Sequence, residues 1–342
     1  MPIQAHVLFR AADGYGSSGT PTPTDVGADP YPPAEVCAAL TCKNGLLFSQ
    51  EGAFFLAIGG AVLYNLYYVE LCAEKELSME KLLVFIPAYN CEKQVTRVLS
   101  QLLDKRIAPW VGECIVVNNR STDGTEAAVQ DWMARHPDAP VRLLRNDRNY
   151  GLGGSHKVAF GYAAAHGYAH LVVLHGDDQG AIADLLPILN DDTYKKYDCC
   201  LGSRFMRGSK TGGYSALRTV GNYGFNWLFS LVARRKITDL GSGLNLYAVA
   251  PLKNEYYKKF PDTLYFNDCM ILALCQMKQR VLFFPISWRE EDQVSNNKLT
   301  SFGISLLKLC GKYLAGPKAF VEREWRDNSI EDYSYEVVAS NL

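Results

Sequence analysis

An α/β domain with a mixed, mostly parallel sheet flanked by helices is the fold that the chain predicts from about Met79 onward. Two patterns predict it. Strand-length apolar runs alternate with longer amphipathic stretches, as in sheets whose strands are joined by helices. Polar and glycine-rich segments follow those runs directly, where an open parallel sheet gathers its ligands.

The apolar runs predict strands at 82–86, 114–117, 141–145, 171–174, 197–201 and 281–284. Helical periodicity predicts helices over 91–104, 123–135, 153–166, 215–233, 267–278 and 301–313, the second capped by Ser121-Thr122-Asp123. No internal repeat is visible. The chain of 342 residues suffices for one large domain or two ordinary ones, and 48% apolar against 21% charged residues fits a sizeable core. Lys plus Arg total 35 against 36 Asp plus Glu, so no basic excess points to nucleic acid. The ten cysteines contain no CxxC pair and no zinc spacing. Cys199-Cys200, on an expected strand, read as small buried hydrophobes, and the pattern as a whole fits a reduced, cytoplasmic catalytic domain.

Four regions are expected. Residues 1–52 form a leader whose 11–33 stretch is too polar to bury a core. Residues 53–70 form a hydrophobic helix, either packed on the domain or anchoring the chain at a membrane, its apolar run being at the short limit for crossing a bilayer. A natural start at Met79 is the third reading. The catalytic domain spans 79–316, and 317–342 is a polar tail without a readable motif.

After the first four strands come Pro87-Ala88-Tyr89-Asn90, Asn118-Asn119-Arg120-Ser121-Thr122-Asp123-Gly124-Thr125, Asn149-Tyr150-Gly151-Leu152-Gly153-Gly154 and His175-Gly176-Asp177-Asp178-Gln179. Singly each is weak. The glycine run lacks dinucleotide-binding spacing and follows the third strand, so it reads as a helix entry needing close backbone approach, and a dehydrogenase is discounted. Asp178 reads equally as a support to Asp177 or as a helix cap.

In this order the segments resemble the family 2 glycosyltransferases of the GT-A fold, and more narrowly the dolichyl- or polyprenyl-phosphate sugar transferases. The resemblance covers about residues 80–310 through PAYNCE, VVNNRSTDGT, NYGLGG, HGDDQ, GSRF, TDLGSGLN, ND at 267–268 and PISWREEDQVSNNK. It departs from the family pattern at Asn118 and His175, where the family usually carries Asp. An inverting glycosyltransferase follows, moving a sugar from a nucleotide-sugar donor to a polyprenyl phosphate or lipid-linked glycan.

The resemblance implies donor contacts at Pro87, Ala88, Tyr89, Asn118, Asn149, Gly151, Lys157, Asp177, Gln179, Arg289 and Lys298. Mn²⁺ or Mg²⁺ would be held by Asp177 and His175, the imidazole tilting preference toward Mn²⁺. Arg204, Arg289 and Lys298 would neutralise phosphates. Asp268, or alternatively Asp239, would be the base for a hydroxyl acceptor. A lipid phosphate, with a second pKa of about 6, needs none. Helix 303–314 carries an apolar face beside Lys308 and Lys312, suited either to packing on the sheet or to peripheral contact with the cytoplasmic face of a membrane. A saccharide acceptor, or a catalytically silent domain that binds nucleotide, remain the alternatives.

Overall fold

The computed structural model describes residues 80–213, 216–290, 299–327 and 332–342. The expected leader, the apolar segment 53–70 and Lys298 lie outside the described residues. Among the described residues there are ten strands: β1 (Leu82–Ala88), β2 (Val111–Asn118), β3 (Val141–Asn146), β4 (His170–Leu174), β5 (Cys199–Ser203), β6 (Lys210–Gly212), β7 (Leu244–Ala248), β8 (Val281–Pro285), β9 (Ser287–Arg289) and β10 (Tyr335–Ser340). The helices are α1 (Glu92–Ser100), α2 (Thr125–Arg135), α3 (Gly151–Ala165), α4 (Leu186–Asn190), α5 (Ala216–Ala233), α6 (Phe266–Gln276), α7 (Leu299–Ala315) and α8 (Pro317–Glu322), with short 3₁₀ turns between them.

Eight strands form one sheet in the order β10-β3-β2-β1-β4-β7-β5-β8. β3, β2, β1 and β4 run parallel, as do β5 and β8, while β7 and β10 run antiparallel to their neighbours. β6 and β9 make a separate two-stranded ladder. β1 is apolar throughout because both faces of the sheet are covered. Leu83 and Phe85 join the core on one face, and Leu82, Val84 and Ile86 join the core on the other.

The topology positions the site. The chain steps from β1 outward to β2 and β3, then returns to place β4 on the other side of β1. That reversal opens a crevice at the carboxyl ends of β1 and β4, the ligand position in open α/β sheets.

β7 and β10 are not among the predicted strands. β7 is five residues long and almost wholly buried, so it shows neither alternation nor length. The buried Asn245 ties it to β5, its Oδ1 accepting from the Gly202 N–H at 3.2 Å. β10 is a half-exposed edge strand with weak apolar character. The segment read as a motif-free tail therefore supplies both α8 and an edge of the sheet. Helix α2 begins at Thr125, and Asp123 Oδ1 accepts the Thr125 N–H at 3.0 Å.

Candidate active site

The loops after β1 and β2 are clasped together before they meet any ligand. Asn90, in the left-handed region at φ 51°, accepts the Thr122 N–H at 2.8 Å through its Oδ1. Glu92 Oε2 accepts the Gly124 N–H, and the Glu92 N–H donates to Asp123, both at 3.2 Å. Cys91 is buried beneath, its thiol pushed up to about 12 chiefly by burial. Pro87 and Ala88 thus end β1 on a rigid shelf with Tyr89 exposed beside them. Asn118 is buried within the clasp. Its Oδ1 accepts from the Ser121 N–H at 2.9 Å and its amide donates to Glu126 at 2.7 Å.

The loop after β4 meets this shelf. The Gly176 N–H donates to the Pro87 carbonyl at 3.2 Å, and a Cβ on Gly176 would lie 2.8 Å from that oxygen. Only glycine permits so close an approach without displacement. Asp177 follows, its carboxyl pushed up to about 6 chiefly by burial, although Gln179 donates its backbone N–H to Oδ1 at 3.2 Å. Asp178 points elsewhere. Its carboxylate takes Arg97 Nε at 2.7 Å, Arg289 Nη2 at 3.0 Å and Gln101 Nε2 at 3.3 Å. The Arg289 N–H also donates to the Gln179 carbonyl at 3.0 Å. Asp178 therefore binds α1, the β4 loop and β9 together. Arg97 and Gln101 escape a reading of the sequence, because polar residues on an amphipathic helix look like a solvent face.

Arg204 and Asp239 form a buried bidentate pair, with Nε to Oδ2 at 2.8 Å and Nη2 to Oδ1 at 2.7 Å. Asp239 also accepts the backbone N–H groups of Arg204 and Gly241. Its oxygens are committed to positioning, which corrects its assignment as a base. The Arg204 guanidinium lies 5.2 Å from the Trp288 ring centroid, one residue from Arg289. Its charge acts on both Asp177 and His175. Asp268 sits in the first turn of α6, buried, with its carboxyl raised well above the ordinary range by that burial.

Three expected donor residues stand outside this cluster. Lys157 is fully buried, with Nζ donating to the Phe260 carbonyl and Asp262 Oδ1 at 2.6 Å each and to the Tyr333 hydroxyl at 3.0 Å. Three protein oxygens occupy its three donors, so the assignment to phosphate is corrected to an internal tie. Asn149 Oδ1 accepts from the Asn119 side-chain amide at 2.7 Å and the Gly151 N–H at 2.9 Å. Gly151, at φ 73°, lies where a Cβ would collide with the Asp262 carbonyl. The glycine-rich entry of α3 accommodates the protein's own backbone at 261–262.

Among the described residues no group of three or more His, Cys, Asp and Glu gathers around a point where a metal could sit. His175 and Asp177 remain. The His175 ring is packed beside Gly243, and its Nε2 is buried without a hydrogen-bond partner among the described residues. Burial, then the Arg204 charge, lowers its pKa to about 4, so the imidazole is neutral and keeps a lone pair. An unpaired neutral imidazole and one carboxylate fit a divalent ion that completes its shell with phosphate oxygens and water.

The family model described as glycosyl transferase family 2 matches residues 83–259, more than half of the chain. The chain belongs to glycosyl transferase family 2. Among relatives of this glycosyltransferase, a dolichyl-phosphate beta-glucosyltransferase of Trichomonas vaginalis is 24% identical, covering 72% of this chain and 75% of that protein. The dolichyl-phosphate beta-glucosyltransferase of Drosophila melanogaster is 26% identical over 73% of this chain and 78% of its own length. The GT-A architecture is shared with glucosyl-3-phosphoglycerate synthase of Mycobacterium tuberculosis, crystallised with Mn²⁺, uridine diphosphate and phosphoglyceric acid. That structure is 14% identical with a TM-score of 0.50, covering 77% of this chain and 88% of its own.

Proposed function

We propose that this glycosyltransferase moves a hexosyl group from a nucleoside diphosphate sugar to a polyprenyl phosphate, with inversion at the anomeric carbon. The observation that carries the donor side is the loop after β4, where Asp177 feels the Arg204 charge and Asp178 holds the Arg289 guanidinium at 3.0 Å. One carboxylate, one neutral imidazole and two arginines suit a diphosphate together with a divalent ion. The acceptor side is supported by the relatives that act on dolichyl phosphate.

An oxygen of the lipid phosphate attacks the anomeric carbon. The bond from that carbon to the donor phosphate breaks, and its electron pair leaves on the nucleoside diphosphate. Arg204 and Arg289 offset the charge growing on the leaving group, the term expected to dominate such a transfer. Arg204 is already held in orientation by Asp239, and Arg289 by Asp178. Asp177 and His175 would hold Mn²⁺ or Mg²⁺, which supplies further positive charge at the diphosphate. The lipid phosphate is ionised near neutral pH and needs no base. Asp268 then orients the sugar or acceptor.

Nucleotide sugars and a lipid phosphate meet at the cytoplasmic face of a membrane. The seven described cysteines, all free, agree with a reducing compartment. Among the described residues no helix is long and apolar enough to cross a membrane, and contact is peripheral in this reading.

Purified protein offered UDP-, GDP- and dTDP-sugars should release nucleoside diphosphate from one donor, dependent on metal. Polyprenyl phosphate should increase that release. Release indifferent to the lipid but increased by an oligosaccharide would move the acceptor to a saccharide, with Asp268 as its base. No release from any donor by folded protein would leave a silent nucleotide-binding domain.

A further inference from the structure

Two helices that pack against one another leave apolar stripes uncovered. On α5, Val220, Trp227 and Leu231 are 69%, 68% and 62% exposed, and Tyr223 is more than half exposed. Their spacing places all four on one helical face. On α7, Ile304, Leu307 and Leu314 follow the same rule and are each more than half exposed. The opposite faces of both helices enter one core, through Phe229 and Val232 on α5 and Leu306, Leu309 and Tyr313 on α7. The two stripes therefore look outward from the same layer. The two helices meet closely, since a Cβ on Gly303 would lie 3.2 Å from the Phe225 ring.

The charged residues of these two segments are of one sign. Residues 219–238 contain no Asp or Glu, and neither do residues 299–321. Those segments carry instead Arg234, Arg235, Lys236, Lys308, Lys312 and Lys318. Lys308 follows Leu307 directly, and Arg234, with its backbone at φ 53°, comes immediately after the end of α5 at Ala233. A second copy of this chain would bring cations against cations. An apolar face on helices that themselves carry cations and no acids is instead complementary to a bilayer whose headgroups are anionic. The face also adjoins the site, because Arg218 near the start of α5 grips Glu290, the neighbour of Arg289, at 2.7 and 2.8 Å.

We infer that the paired outer faces of α5 and α7 form a docking surface for an anionic lipid bilayer, lying in the interface with Trp227 at headgroup depth. The inference rests on the lipid-phosphate reading above for its purpose: a docked face would bring the crevice to where a lipid phosphate emerges. Its physical basis is the exposed apolar area and the margin charge alone.

Trp227 supplies a local probe. Of the five tryptophans, Trp110, Trp132 and Trp288 are buried and Trp325 is half-buried. The full chain is titrated with vesicles of phosphatidylcholine alone and with added phosphatidylglycerol. Anionic vesicles should shift Trp227 emission to the blue, and lipids brominated near the headgroup should quench it. A Trp227→Phe variant should lack both signals. The Leu231→Glu/Leu307→Glu double variant should partition on the order of tenfold more weakly, since interfacial binding scales with buried apolar area. Its donor turnover in detergent should be unchanged, which also shows that it folds.

Vesicle binding with no change at Trp227 would overturn the inference, by showing that another segment makes the contact. Absence of vesicle binding would overturn it too. So would a Trp227 shift that depends on protein concentration without lipid, which marks a contact between copies. Lipid-stimulated nucleotide release in detergent separates docking from function. If release persists while docking fails, the function stands and the docking face falls. If docking is found without lipid-stimulated release, the docking face stands and the lipid-phosphate acceptor falls.

Discussion

At the level of single residues, the site is governed by how burial and ion pairing divide its charge. Asp177 and Asp178 are adjacent in the chain and have opposite fates. Asp178 meets two guanidinium groups and an amide, whereas Asp177 is half-buried with its carboxyl pushed up to about 6. The sign of the resulting linkage is fixed. A carboxyl whose folded pKa lies above its ordinary value contributes stability below that ordinary value and loses it as pH rises through about 6. Near neutral pH the fold thus holds an unfavourable anion, which a bound cation relieves. Mn²⁺ with nucleoside diphosphate should raise the melting temperature more at neutral pH than at about pH 5, because the Asp177 carboxylate must be ionised to bind. Calorimetry on the wild type and Asp177→Asn checks this, and the variant should lose the pH-dependent part. Its kcat/KM should fall on the order of 10²-fold, the usual scale for losing one electrostatic stabiliser. Asn118 shows a related displacement of charge. Its amide meets Glu126, and Glu126 meets Arg145 at 2.9 Å, so a carboxylate lies one step outside the position of the neutral side chain.

Among the elements, the entry to α3 separates packing from binding. Gly153 donates its N–H to the Asp262 carbonyl at 2.8 Å, and a Cβ there would collide with the Pro261 carbonyl. Lys157, one turn further on, ties the same segment from inside. Lys157→Met leaves the Phe260 carbonyl without its ammonium donor and the Asp262 carboxylate with the Tyr333 hydroxyl but without its ammonium partner. It should cost about 3 kcal/mol, the lower end for breaking a buried pair because Asp262 is partly exposed. Gly153→Ala should cost about 1–3 kcal/mol through overpacking. Denaturant unfolding measures both, and neither variant should change the KM for donor if these residues lie outside the crevice.

These residues also mark how far the sequence could be read. The parallel strands were legible because a strand buried on both faces is an uninterrupted apolar run, and their carboxyl-end loops were legible as ordered motifs. Individual roles within a motif were less so. A lysine beside a glycine-rich turn looks like a phosphate ligand until the Phe260 carbonyl and the Asp262 carboxylate, about a hundred residues away, are brought against it. Asp239 reads as a base in the sequence, but in the fold Arg204 occupies both its oxygens. Arg97 is invisible in the sequence because its partner, Asp178, is 81 residues away.

Across the whole molecule, the sheet's order places the crevice and its far edge guards it. β10 covers β3 in antiparallel pairing, with Arg145 reaching Glu336 at 2.5 Å across that edge. Removing residues 332–342 bares the β3 edge and deprives Lys157 of the Tyr333 hydroxyl. The truncated chain should melt at lower temperature and aggregate on heating, as exposed edges pair with one another. Light scattering during a thermal ramp tests this against the full chain.

Transfer of a sugar to a lipid phosphate at the Asp177 crevice joins these levels, and its product can be followed outright. A radiolabelled nucleotide sugar, Mn²⁺ and polyprenyl phosphate are supplied in detergent, and label is traced into an organic extract. Label should appear in an acid-labile glycolipid, formed one for one with nucleoside diphosphate and absent with Asp177→Asn. Nucleoside diphosphate formed while all label stays in the aqueous phase would contradict transfer to the lipid.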